Sequence, residues 1–275
     1  LSDPQDRLAI GDALLAAAIV ATLRRAGRPI LVGLSGAQGS GKSHTGRRLA
    51  ELLCDQGQQT VVRSLDDFYL TRAERQTLAA AVHPLLATRG VPGTHDIALL
   101  MQTVDALLAG DTVALPRFDK TIDDRADRSE WPVHAGPVDV VLIEGWCIGA
   151  RAQPEAMLAA PINALERAED SAGRWRRFVN DRLAGDYAAF NARYDLRLML
   201  RAPDFGCVLG WRAEQERGLD RRPDAPPPMD DAAVGRFIAH YERITRWMLE
   251  DEPADLIADL DAERMPYAWR LPQSA

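Results

Sequence analysis

Residues 30–56 constrain the fold more than any other part of the chain. A short apolar run, Ile30–Leu34, leads into Gly36-Ala37-Gln38-Gly39-Ser40-Gly41-Lys42-Ser43. A segment with Leu49, Leu52 and Leu53 on one helical face follows and stops at Gly57. An apolar run of this length reads as a buried parallel strand. The eight residues after it fit the spacing G-x-x-x-x-G-K-[ST], in the strand–loop–helix context that gives the pattern its meaning. Glycines let the backbone turn so that successive N–H groups converge. The following helix aims its own unpaired N–H groups and the positive end of its dipole at the same point. The loop is therefore an anion cradle. Lys42 places an ammonium near the outer phosphates of a nucleoside triphosphate, and Ser43 offers a hydroxyl to Mg²⁺.

The rest of the chain alternates in the same way. Further strands are expected at Thr60–Leu65, Val138–Ile143, Leu196–Leu200 and Asp255–Asp259. Helices are expected over 6–26, 43–56, 96–109, 174–194, 207–218 and 230–250, with a loop at Pro223–Pro228. Strands alternating with helices predict a three-layer α/β/α fold with a mainly parallel, five-stranded sheet. The expectation is one P-loop domain over 1–275, with 66–137 as a substrate-binding and lid insertion. Within it, the mixed-charge stretch 117–131 reads by itself as a solvated loop.

Composition narrows the function classes. The net charge is −7 with no long basic run, which argues against a nucleic-acid partner. Cys54, Cys147 and Cys207 are far apart and form no Cys-x-x-Cys pair. That argues against a disulfide framework or a zinc site and fits a reducing, cytoplasmic setting. No run approaches the ~20 apolar residues needed to span a bilayer; the nearest, Ala13–Leu23, is short and abuts Arg24 and Arg25. Of 33 Lys and Arg residues only Lys42 and Lys120 are lysines. A lysine kept in an arginine-rich chain marks a place that can use a compact ammonium.

Two acidic positions stand where chemistry on a phosphate needs them. The third strand ends in Glu144-Gly145, so a carboxylate can hold Mg²⁺ or its waters beside Ser43. Asp66 and Asp67 end the second strand, at the sheet edge that faces the ligand crevice in open α/β folds. A hydroxyl attacking a phosphoryl group gives up its proton, and one Asp can accept it while the other orients Mg²⁺ or water. Spacing does not divide these roles.

Asp66-Asp67-Phe68-Tyr69 resembles the Asp-x-Phe-Tyr signature of the uridine kinase, phosphoribulokinase and pantothenate kinase group. The ordered blocks are more specific. They are Leu65–Thr71, His83-Pro84-Leu85-Leu86, Arg89-Gly90, Gly93-Thr94-His95-Asp96, Leu115–Lys120, Asp124–Arg128, Trp131-Pro132 and Glu144-Gly145-Trp146. Val179-Asn180, Leu183, Tyr187, Trp211-Arg212, Glu214 and Asp261 continue them. Over residues 30–267 the chain is similar to the D-glycerate 3-kinase family. Plant members carry Tyr-Asn-Lys where this chain has Phe118-Asp119-Lys120.

The resemblance implies ATP and Mg²⁺ as cofactors and a small hydroxylated acceptor, D-glycerate, phosphorylated to 3-phosphoglycerate. It implies Asp66 as the base, with Asp67, Ser43 and Glu144 on the metal side. The nucleotide-binding set is Gly36, Ala37, Gln38, Gly39, Ser40, Gly41, Lys42, Ser43 and His44. Tyr69, Arg89, His95, Asp96, Asp119 and Lys120 join Asp66 at the acceptor. Of these, Arg89 and Lys120 suit a carboxylate. Arg125, Arg128 and Arg212 are candidates to close over the phosphates, and the segment Asp261–Met265 is expected to hold adenine. Two alternatives stay open: a kinase of the same group acting on a uridine- or pantothenate-like acceptor, and a nucleotide-binding module with no acceptor.

Overall fold

The computed structural model describes residues 3–217 and 230–272; the expected Pro223–Pro228 loop lies outside them. The main sheet contains β1 (Ile30–Gly36), β2 (Thr60–Ser64), β3 (Val140–Gly145), β4 (Leu196–Arg201), β5 (Leu256–Leu260) and β6 (Pro266–Arg270). Their spatial order is β6-β5-β4-β1-β3-β2. The first five strands in the chain are mutually parallel, and β6 runs antiparallel on the edge of β5. The expected five-stranded sheet is thus six-stranded. The additional strand opens on Pro266, which lacks an amide donor, and proline in sheets is confined to edges and strand starts.

Side chains alternate across β1 and β3, so the sheet feeds two cores. Leu31, Val141 and Ile143 face one, with Leu100, Val104, Trp175, Leu183 and Ile244. Ile30, Val32, Leu34, Val140 and Leu142 face the other, with Ile19, Leu49, Leu53 and Val208. The helices involved are α1 (Pro4–Ala26), α2 (Lys42–Asp55), α3 (Arg72–Ala81), α4 (Ile97–Ala109), α5 (Ala164–Glu169), α6 (Arg174–Arg182), α7 (Ala188–Asn191), α8 (Phe205–Arg217) and α9 (Asp231–Asp251). No helix among the described residues is long and apolar enough to cross a membrane.

The single helix expected over 174–194 is broken. A wider turn at Leu183–Tyr187, with Gly185 outside helical φ/ψ, separates α6 from α7. Tyr187 ends this wider turn, and its hydroxyl meets Nδ1 of His95. The stretch 117–131 is also more ordered than its composition implies. Phe118–Asp119 pairs with Asp124–Arg125 as a tight hairpin, and Val113–Ala114 pairs with Val133–His134. The hairpin is pinned from α3: the Arg72 amide donates to Asp124 Oδ1 at 2.9 Å, and buried Arg75 donates to the Asp123 carbonyl at 2.6 Å.

Candidate active site

The carboxyl ends of β1, β2 and β3 meet at one edge, and register sets what they carry there. Glu144 lies opposite Leu34 of β1 on one side and Ser64 of β2 on the other. Its Oε1 accepts the Ser43 hydroxyl at 2.7 Å. Glu144 is buried, and its Oε2 has no hydrogen-bond partner among the described residues. No group of three or more His, Cys, Asp or Glu side chains is gathered for a metal among those residues. A serine hydroxyl beside an orphaned carboxylate oxygen fits a hydrated Mg²⁺, which takes few protein ligands and completes its shell with water and phosphate oxygens.

Between β1 and α2 the chain turns through Gly39 (φ 78°) and Gly41 (φ 87°). A Cβ on Gly39 would sit 2.6 Å from Cβ of Trp211 in α8 and 3.0 Å from its backbone carbon. Trp211 also donates its indole N–H to the Ala262 carbonyl at 2.7 Å. One tryptophan thereby holds the phosphate loop and the Asp261–Met265 turn together, a link that no spacing in the sequence foretells. Gly39→Ala is expected to lower stability by about 1–2 kcal/mol from the left-handed backbone alone. It is also expected to raise the KM for ATP by at least about tenfold through the displaced loop. Thermal melts and ATP titrations of turnover read the two effects separately.

Asp66 lies in the 3₁₀ turn Leu65–Phe68 that follows β2, and Ser64 caps that turn by accepting the Asp66 amide at 3.3 Å. Both carboxylate oxygens are occupied. Tyr69 donates its hydroxyl to Oδ1 at 2.9 Å, and Lys120 on the hairpin donates to Oδ2 at 2.6 Å. Burial by itself raises the Asp66 pKa, but the charge and hydrogen bond of Lys120, with the charge of Lys42, hold it well below the usual carboxylate range. Parallel pairing of β1 and β2 with β3 puts Asp66 at the same edge of the sheet as the phosphate loop, where the Lys42 charge acts on it. Asp67 is used differently. Its carboxylate receives Arg63 at 2.8 Å and the Phe118 amide at 3.4 Å, and burial raises its pKa against the Arg63 charge.

His95 stacks on Tyr69, with ring centroids 4.4 Å apart, and its Nδ1 lies 2.5 Å from the Tyr187 hydroxyl. The Gly93 amide donates to that same hydroxyl at 3.2 Å. This contact uses Nδ1 and leaves Nε2 as the second ring nitrogen. That nitrogen is buried and without a partner among the described residues. Burial pushes the His95 pKa down to about 4, so the ring is neutral at pH 7. The unfolded chain takes up this proton near pH 6.5 and the folded chain only near 4. Stability should therefore fall by up to about 3 kcal/mol as the pH drops through that window. His95→Gln should flatten this slope in urea denaturation measured from pH 7 to 4.

The remaining expected residues divide. Arg89 pairs with Asp123, which it shares with Arg75, and lies over the Phe118 ring at 5.4 Å. Asp96 caps α4 by accepting the Leu99 amide at 2.9 Å. Arg125 donates to the Tyr69 carbonyl at 2.9 Å and to Asp96 at 3.3 Å, so here it braces the hairpin against β2's exit. Arg128 is exposed and stacks on Trp131, whereas half-buried Arg212 lies over Phe237 at 5.2 Å. Asp119 accepts the Thr121 amide at 2.8 Å inside the hairpin turn. His44 is exposed on the first turn of α2. The pairings through Asp123, Arg63 and Tyr187 were not legible as motifs. Asp123 and Tyr187 join residues dozens of positions apart, and Arg63, four residues from Asp67, separates two acids whose roles spacing left undivided.

No family model matches the chain. It is 36% identical over 231 residues to the uncharacterized kinase mug58 of Schizosaccharomyces pombe, covering 78% of this chain and 79% of that one. It is 31% identical over 259 residues to a chloroplastic D-glycerate 3-kinase of Arabidopsis thaliana, covering 86% of this chain and 54% of the plant protein. A solved D-glycerate 3-kinase from Cryptococcus neoformans superposes with a TM-score of 0.78 at 25% identity, covering 94% of this chain and 98% of that one. The chain belongs to the D-glycerate 3-kinase family of P-loop kinases and is a phosphotransferase acting on an alcohol group.

Proposed function

We propose that this kinase transfers the γ-phosphoryl group of ATP to the terminal hydroxyl of D-glycerate. The observation that carries the chemistry is the position of Asp66, fixed by Tyr69 at the tip of β2 and within the field of Lys42. The phosphate loop amides and Lys42 hold the triphosphate. Asp66 Oδ2 takes the hydroxyl proton as the acceptor oxygen bonds to the γ-phosphorus and the bond to the β-phosphate oxygen breaks, releasing ADP. Ser43 and Glu144 would hold Mg²⁺, which neutralises charge on the phosphate oxygens. Tyr69, its hydroxyl kept protonated by burial and by Asp66, locks the base in place. His95 Nε2 is buried without a partner among the described residues, and a hydroxyl of the acceptor can pair with it in either tautomer.

Glycerate is favoured over a nucleoside by the span of the likeness. The D-glycerate 3-kinase of Arabidopsis aligns over 86% of this chain. Uridine–cytidine kinase 2-B of Danio rerio aligns over 43%. ADP release measured with a panel of acceptors tests the proposal. D-glycerate should stimulate turnover well above uridine, pantothenate and glycerol, and a preference for uridine would replace the acceptor while keeping the chemistry.

A further inference from the structure

Among the described residues, the ammonium in contact with Asp66 is that of Lys120, and it sits on Oδ2. The base oxygen of the reading above is Oδ2, since Oδ1 carries the Tyr69 hydroxyl, and Lys120 Nζ lies 2.6 Å from Oδ2. A carboxylate tied to an ammonium in this way is a poor proton acceptor. The hairpin that carries Lys120 is pinned. Arg75 and Arg89 hold Asp123, the Arg72 amide holds Asp124, and Arg125 holds the Tyr69 carbonyl. The Lys120 side chain, by contrast, is 59% exposed on a flexible stem. Only the side chain has to move.

We propose that Lys120 caps Asp66 in the absence of acceptor and is drawn off it by the acceptor's own carboxylate. This rests on the reading of Asp66 as the base and deepens the acceptor reading: the kinase selects hydroxy acids over neutral polyols through release of the base. An anionic acceptor exchanges one carboxylate partner of Lys120 for another, so the ammonium stays paired and Oδ2 becomes free. A neutral acceptor, or water, offers no replacement charge and meets a capped base. The same contact restrains ATP hydrolysis before the acceptor arrives. Hydrolysis differs from transfer only in that water supplies the attacking oxygen and gives its proton to Oδ2.

Lys120→Met, which keeps the length of the stem and removes the charge, tests both consequences. D-glycerate should lose about 10- to 100-fold in kcat/KM, the worth of one charge-assisted contact. Glycerol should hold its kcat/KM or gain, so the discrimination between the two collapses. ADP release without acceptor should rise several-fold, and the rise should vanish in Lys120→Met/Asp66→Asn. Equal losses for glycerate and glycerol with no rise in hydrolysis would overturn the proposal, as would no change in either. A wild-type enzyme that ignores glycerate defeats the acceptor assignment of the preceding section. The acceptor-free hydrolysis rate then decides the capping role by itself.

Discussion

Asp66→Asn is expected to lower kcat by about 10²–10⁴-fold, the range a positioned general base contributes. The affinity for ATP should change by less than about threefold, because the triphosphate is held by Lys42 and the loop amides, which this substitution leaves in place. Asparagine keeps the shape and can still accept the Tyr69 hydroxyl, so the turn after β2 should persist. What disappears is the carboxylate oxygen able to take a proton. Single-turnover phosphoryl transfer, paired with equilibrium binding of a non-hydrolysable ATP analogue, separates the two quantities. Asp67→Asn provides the contrast. Asp67 is bound by Arg63 and the Phe118 amide, so its loss should appear in the packing of the hairpin, and equal damage to kcat from both variants would contradict the division of roles.

Arg243→Ala is expected to destabilise the fold by about 3–5 kcal/mol, the cost of breaking a buried ion pair by removing one partner. Arg243 meets both oxygens of Glu166 at 2.7 and 2.6 Å and donates to the Met157 and Ala160 carbonyls, each at 2.8 Å. Glu166 is 0% exposed and Arg243 6%. Truncation leaves a buried carboxylate whose remaining donor among the described residues is the Ile162 amide at 2.9 Å, and it takes the Arg243 donor from the Met157 and Ala160 carbonyls. Urea denaturation should show the midpoint falling at constant slope. Against a typical total of roughly 5–15 kcal/mol, this is a large share. The double variant Arg243→Met/Glu166→Leu should recover much of it, since an apolar pair of similar volume carries no desolvation cost. The consequence reaches the site. Two residues before Arg243 on α9, Tyr241 donates to the Arg89 carbonyl at 3.3 Å and packs against Gly90.

The sequence by itself determined the phosphate loop, the five parallel strands and the identity of the acids at their tips. Those features depend on neighbours within a few residues: apolar runs of strand length, glycines at the turn, and an acid directly after a strand. Physics of that range is written locally, so residues 36–43, Asp66 and Glu144 could be read without coordinates. The tertiary structure alone decided how like residues share the work. Asp66 and Asp67 are adjacent and chemically identical, yet Lys120, 54 residues on, ties one and Arg63 braces the other. Arg125 and Arg89 look like anion binders as a composition, but the hairpin occupies them with Asp96 and Asp123. A charge takes its partner from whatever the fold brings within about 4 Å, and that distance has no signature along the chain.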